Sequence, residues 1–177
     1  RAFWDDGVAA LAKVEPRYSL VLVSNLCTES VSLYEVRMRS FGDVVIGGHL
    51  AVPKRPGRYP AVVRFLGYGS GPSLPARDNP NVVRYVASTR GQGVMKAENV
   101  YCDWMAHRLD SRDDYYYRGA FLDTVRAVDF VCSREEVDPR HIAVEGGSQG
   151  GTLSYVCAAL DRRVSFCMPC NPGFGDI

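Results

Sequence analysis

HIAVEGGSQGGTLSYVCAAL, residues 141–160, is the stretch on which the fold turns. Residues 141–144 form a short apolar run suited to a buried strand, 146–151 are glycine-dense, and 152–160 have the make-up of a helix. Between strand and helix, Gly146-Gly147-Ser148-Gln149-Gly150 satisfies G-x-S-x-G. A sharp turn of this kind holds its serine in a strained backbone conformation and leaves no room for side chains at the flanking positions, hence the glycines. Ser148 is thereby expected to stand out at the carboxyl end of a sheet as a nucleophile. The free N–H groups at the start of the helix, Gln149 first, would face a developing oxyanion. A tight structural turn or a phosphate cradle is the competing reading. The lysine followed by Ser or Thr of a phosphate loop is absent, and G-x-G-x-x-G has no match in the turn.

Working outward, strand and helix signals alternate from residue 61 onward, which predicts an α/β fold with a mostly parallel sheet and helices on both faces. Residues 61–66 read as a strand feeding Gly67-Tyr68-Gly69-Ser70-Gly71, 81–88 as a further strand, and 120–132 as a one-sided helix that ends before Asp138-Pro139. Residues 164–168 make the last predicted strand. The stretch 94–114, with Trp104 and His107, has no clean period and reads as a surface excursion. Before residue 61, residues 3–14 have helical spacing, while 31–38 and 44–52 alternate as an antiparallel pair turning at 40–43. The expected organisation is a single partial domain over 1–177, with helix and antiparallel strands over 1–60 and an alternating core over 61–177. The loop after strand 61–66 is where a second oxyanion donor belongs, and the Tyr68 backbone N–H is the candidate, against an ordinary glycine turn.

Composition narrows the function classes. Of the residues, 46% are hydrophobic and the net charge is +1, so there is no basic excess to neutralise phosphates or anionic lipid, and neither nucleic acid nor a membrane is an expected partner. No apolar run approaches the ~20 residues of a spanning helix. The chain opens on Arg1 rather than Met, compatible with a removed leader or a cut chain, which leaves the compartment open. Cys27, Cys102, Cys132, Cys157, Cys167 and Cys170 are scattered through apolar stretches. The lone C-x-x-C of Cys167 and Cys170 reads as ordinary thiols, since zinc would need a second ligand pair.

Ser148 needs a base, and in folds with this elbow the acid and then the histidine follow the serine along the chain. No histidine follows Ser148 here; His49, His107 and His141 all precede it. His141 lies seven residues upstream in the same predicted strand, roughly 20 Å away at ~3.3 Å per residue, and cannot serve. The acid and base are therefore expected beyond residue 177 or absent, and the 177-residue polypeptide alone is expected to have little turnover. A non-catalytic truncated homologue and a peptidase are the alternatives.

Several segments then suggest a family. Phe3-Trp4-Asp5, Gly67-Tyr68, Arg90-Gly91-Gln92-Gly93, Tyr115-Tyr116-Tyr117-Arg118-Gly119, Asp123-Thr124-Val125-Arg126-Ala127, Val137-Asp138 and Gly146–Gly151 occur in order along nearly the whole chain. In these the chain resembles the acetyl xylan esterase and cephalosporin C deacetylase group, carbohydrate esterase family seven. The resemblance implies an α/β-hydrolase fold of which this is the amino-terminal part. It implies deacetylation of acetylated sugars and xylo-oligosaccharides without metal or cofactor, and Ser148 as nucleophile. It also implies the Tyr68 and Gln149 N–H groups as oxyanion hole and a homo-oligomeric full-length protein.

Overall fold

A computed structural model describes residues 1–98, 100, 101, 103 and 105–173. The cysteine and tryptophan at positions 102 and 104 lie outside the described residues. Among the described residues three α-helices, α1 (Ala2–Ala12), α2 (Tyr116–Cys132) and α3 (Gln149–Leu160), accompany seven strands. These are β1 (Ser19–Leu22), β2 (Val31–Arg39), β3 (Val45–Pro53), β4 (Tyr59–Phe65), β5 (Val83–Ser88), β6 (Val137–Gly147) and β7 (Val164–Cys170). They form one mixed sheet in the order β1-β2-β3-β5-β4-β6-β7. β1, β2, β3 and β5 pair antiparallel, and β5, β4, β6 and β7 run parallel.

The parallel half is the predicted alternating core. Its inward positions, Ala61, Val63 and Phe65 of β4 and Ile142 and Val144 of β6, are buried against α2 and α3. Phe130 of α2 is wholly buried, its ring centroid 5.1 Å from that of Tyr85 and 5.3 Å from that of Tyr18. The three helices contact one another and share this face. The sequence expectation was helices on both faces. Among the described residues the other face instead carries Val62, Arg64, Arg84 and Glu145, against which Pro75 and Ala76 of the loop between β4 and β5 lie. The α/β class holds, with all the described helices on one layer.

Boundaries differ from the periodic reading for local reasons. α2 begins at Tyr116, ahead of the one-sided pattern, because Tyr116 and Tyr117 are themselves buried; Tyr115 at the N-cap makes no side-chain capping bond that could have announced the start. β6 begins at Val137 and runs through Pro139, so His141 lies inside it rather than opening it. Proline is tolerated there because the pairing with β4 slips between Tyr59↔Val137 and Ala61↔Ile142, leaving the missing N–H outside the regular ladder. β1 carried no sequence signal. It is four residues long, with Val21 and Leu22 exposed, and is defined by its pairing with β2 from Ser19↔Arg37 to Leu22↔Tyr34.

Candidate active site

The end of β6 and the start of α3 meet at one residue. Ser148 sits between them with φ 53° and ψ −125°, a conformation that costs a non-glycine residue about 1–3 kcal/mol. Hydrogen bonds on both sides hold it. The Ser148 N–H donates to the Cys170 carbonyl at 3.0 Å, and the Ser148 carbonyl accepts from the N–H groups of Gly151 at 2.9 Å, Thr152 at 3.2 Å and Gly173 at 3.1 Å. The flanking glycines follow from the tightness of this turn. A Cβ on Gly146 would come within 2.5 Å of the Gly150 carbonyl, and one on Gly150 would overlap the Phe65 carbonyl of β4. The serine is exposed, as a nucleophile must be, and its hydroxyl has no hydrogen-bond partner among the described residues.

Topology brings the second predicted loop here. β4 and β6 are adjacent and parallel, with Phe65 opposite Gly146, so Tyr68 and Gln149 leave the sheet at the same edge. Gly67 lies against the elbow, where a Cβ would stand 3.6 Å from the Gly147 carbonyl. The Tyr68 side chain is half exposed, while Gln149 is buried. No described residue accepts a hydrogen bond from the Gln149 backbone N–H, as expected of the first position of a helix.

Beneath these loops is a polar network to which the sequence reading assigned no role. Gln149 accepts at Oε1 from the Tyr117 hydroxyl at 2.8 Å and donates from Nε2 to Gln92 Oε1 at 3.3 Å. Gln92 Oε1 also accepts from the Gly69 N–H at 3.2 Å, and Gln92 Nε2 donates to the Tyr116 hydroxyl at 2.7 Å. That hydroxyl donates in turn to the Arg90 carbonyl at 2.9 Å. Lys96 adds an exposed tie, donating to the Gly69 carbonyl at 2.9 Å. Burial raises the Tyr116 pKa to about 12, and burial followed by the neighbouring Tyr116 and Tyr115 raises that of Tyr117, so both hydroxyls remain donors at neutral pH.

The network is anchored on a buried ion pair. Arg90 Nε and Nη2 donate to Asp123 Oδ2 and Oδ1 at 2.9 and 2.8 Å, the Arg90 N–H donates to Oδ2 at 3.0 Å, and the Ser40 hydroxyl donates to Oδ1 at 2.6 Å. Burial pulls the Arg90 pKa down, but the charge and hydrogen bonds of Asp123 outweigh it and hold the pKa above its ordinary value. Gly119 makes room for the guanidinium, which a Cβ at that position would overlap. The RGQG, YYYRG and Asp123 segments are thus three parts of one support. In the sequence these segments stood out only as carriers of the family resemblance, and residue order does not say that Arg90 and Asp123 meet.

The histidines are engaged elsewhere. His49 Nδ1 lies 3.0 Å from the Ser73 carbonyl, His141 Nδ1 3.0 Å from Asp138 Oδ2, and the His107 ring packs edge-on to Tyr101. Cys27, Cys132, Cys157, Cys167 and Cys170 are free thiols. Cys167 and Cys170, three apart in β7, point to opposite faces of the strand. Among the described residues no three His, Cys, Asp or Glu side chains gather as a metal site would require, and no helix is long and apolar enough to cross a membrane.

A serine in a strained turn between a parallel strand and a helix, with a glycine loop from the neighbouring strand beside it, defines the α/β-hydrolase class. Within that class the chain belongs to the acetyl xylan esterase family, whose model (AXE1) it matches over residues 1–176. It is 28% identical to the acetyl esterase Axe7A of Xylanibacter ruminicola over 99% of this chain and 44% of that protein. The structure superposes on the acetyl xylan esterase of Paenibacillus sp. R4 with a TM-score of 0.84 at 33% identity, covering 97% of this chain and 58% of the other. For acetyl xylan esterase 1 of a Thermoanaerobacterium species the TM-score is 0.81 at 29% identity, covering 92% and 55%. The chain therefore spans about half the length of these relatives.

Proposed function

We propose that the chain carries the nucleophile-bearing part of a serine carboxylesterase that removes acetyl groups from acetylated xylan, xylo-oligosaccharides or related small acetyl esters. The observation that carries this reading is Ser148 itself, exposed and strained at φ 53° between β6 and α3. In this reading the Ser148 hydroxyl oxygen attacks the ester carbonyl carbon and its proton passes to a histidine base. The oxyanion that forms is held by the Gln149 and Tyr68 backbone N–H groups. Collapse of the tetrahedral species expels the sugar alcohol, which takes up that proton and leaves the acyl group on Ser148. Water then attacks the acyl-enzyme, releasing acetate and restoring the hydroxyl. These steps need no metal or cofactor.

The base and its acid are placed in polypeptide outside residues 1–177, in keeping with relatives about twice as long. The full-length protein is proposed to assemble with copies of itself. The test is acetate release from acetylated xylo-oligosaccharides by the full-length protein and its Ser148→Ala variant, which is expected to lose several orders of magnitude in kcat. Undiminished release by Ser148→Ala would refute the reading, and cleavage of peptides in preference to acetyl esters would replace it with a peptidase. Residues 1–177 alone are expected to show almost no Ser148-dependent turnover.

A further inference from the structure

We propose that Lys96 is a positioning residue for the esterase step, acting on the Tyr68 N–H through two peptide units in series. The proposal rests on Ser148 as nucleophile and on the Tyr68 N–H as an oxyanion donor. Residues 67–70 form a tight turn, closed by the Ser70 N–H donating to the Gly67 carbonyl at 3.2 Å, with Gly69 at φ 69° as its third residue. The Lys96 ammonium donates to the Gly69 carbonyl at 2.9 Å. The carbonyl and N–H of one peptide unit are conjugated, so a cationic donor on the oxygen draws electron density from the nitrogen and makes that N–H a stronger donor. The Gly69 carbonyl and the Ser70 N–H are one such unit, and the Gly67 carbonyl and the Tyr68 N–H are the next. The charge of Lys96 polarises both in turn, and the chain ends on the N–H proposed to face the oxyanion.

The lysine is held where this bond can form. It lies in the short 3-10 helix Gly93–Glu98, whose Met95 is buried and whose Val94 N–H donates to the Ser88 hydroxyl oxygen at the end of β5 at 3.1 Å. The Gly93 N–H donates to the Ser70 carbonyl at 3.1 Å, joining this helix to the turn backbone to backbone. No neighbouring acid neutralises the ammonium. Among the described residues no carboxylate forms an ion pair with Lys96, and Glu98, two positions on, is engaged by Arg37 at 3.1 Å. The Gln92 bond to the Gly69 N–H is different in kind, since it is made by neutral groups and enters the turn at the peptide unit between Tyr68 and Gly69, outside the chain from Lys96. Gln92 fixes where the turn sits, and Lys96 sets how strongly it donates.

The experiment measures kcat and KM of the full-length protein on p-nitrophenyl acetate, with Lys96→Met, Lys96→Gln and Lys96→Arg alongside. Inhibition by phenylboronic acid, which adds to a nucleophilic serine as an anionic tetrahedral adduct, is measured on the same set. Lys96→Met is expected to lose about threefold to tenfold in kcat at constant KM, short of the ~10²–10³ that removal of a direct oxyanion donor costs. It should weaken boronate inhibition by the same factor and leave the melting temperature unchanged. Lys96→Arg, which keeps the cation, should stay within about twofold of wild type. Lys96→Gln should fall with Lys96→Met, and carries the test where the methionine variant does not fold. Unchanged kcat in the neutral variants, a raised KM at constant kcat, or a loss in Lys96→Arg equal to that in Lys96→Met would overturn the proposal. Unimpaired hydrolysis by Ser148→Ala would instead remove the nucleophile assignment, so the two failures are separable.

Discussion

The Gln149 side-chain amide donates to the Gln92 side-chain carbonyl at 3.3 Å, and that carbonyl also accepts the Gly69 N–H at 3.2 Å. One buried oxygen thus ties the elbow to the loop that carries Tyr68. The two backbone donors proposed for the oxyanion lie on separate elements, and their relative placement depends on this shared acceptor. Tyr116 and Tyr117, both buried, brace it from α2.

Removing that acceptor should act on the chemical step. In the full-length protein, Gln92→Ala is expected to lower kcat on an acetyl ester roughly tenfold to a hundredfold, with little change in KM, because a misplaced donor costs most in the transition state. Steady-state kinetics with thermal unfolding as a control decides it. A raised KM at constant kcat would assign Gln92 to substrate binding instead.

Asp123 is expected to matter most for stability. It is fully buried and neutralises Arg90 through paired hydrogen bonds, so Asp123→Asn leaves a buried guanidinium without its counter-charge, at a cost of about 3–5 kcal/mol. The exposed Arg1–Asp5 pair is the contrast, and Asp5→Asn should cost about 1 kcal/mol or less. Urea unfolding of the two variants gives the comparison, and similar midpoints would contradict it.

Gly150→Ala should damage the elbow by crowding. The added methyl overlaps the Phe65 carbonyl, so α3 must shift from β4 at a cost of about 1–3 kcal/mol, carrying Ser148 with it. Loss of both melting temperature and esterase activity is the expected pair of results. Gly71→Ala, with nothing within 4 Å of its Cβ, should leave both unchanged.

Alkaline pH should loosen the support. The Tyr116 pKa rises on folding from about 10 to about 12, so the native state holds this proton more tightly than the unfolded chain. Its contribution to stability is complete below the unfolded value and is lost as pH climbs from about 10 toward about 12. Denaturation midpoints followed from neutral pH upward should decline over that window. Tyr116→Phe should start less stable, having lost the bonds to Gln92 and Arg90, and should decline less steeply.

Much of the candidate site was legible in the order of residues. The elbow, its glycines and the loop at Tyr68 are local patterns set by the sterics of a strand-to-helix turn, and they needed only neighbours in sequence to be read. The parallel core was legible for the same reason, since alternation of short apolar runs with one-sided helical segments is itself local. β1 was not, because an exposed four-residue edge has no periodicity of its own and takes its form from β2.

Tertiary structure alone decided what stands beneath the site. Gln92 and Gln149, 57 positions apart, meet across the sheet edge, and Arg90 and Asp123 meet 33 positions apart. It also decided that the three helices share one face, and that Gly173 returns to bond Ser148. Sequence by itself determined the strained turn and the serine it presents, because backbone sterics act between adjacent residues. The relative positions of the two backbone N–H groups proposed as oxyanion donors depend on hydrogen bonds closed between distant segments, and those exist only once strand order has brought the segments together.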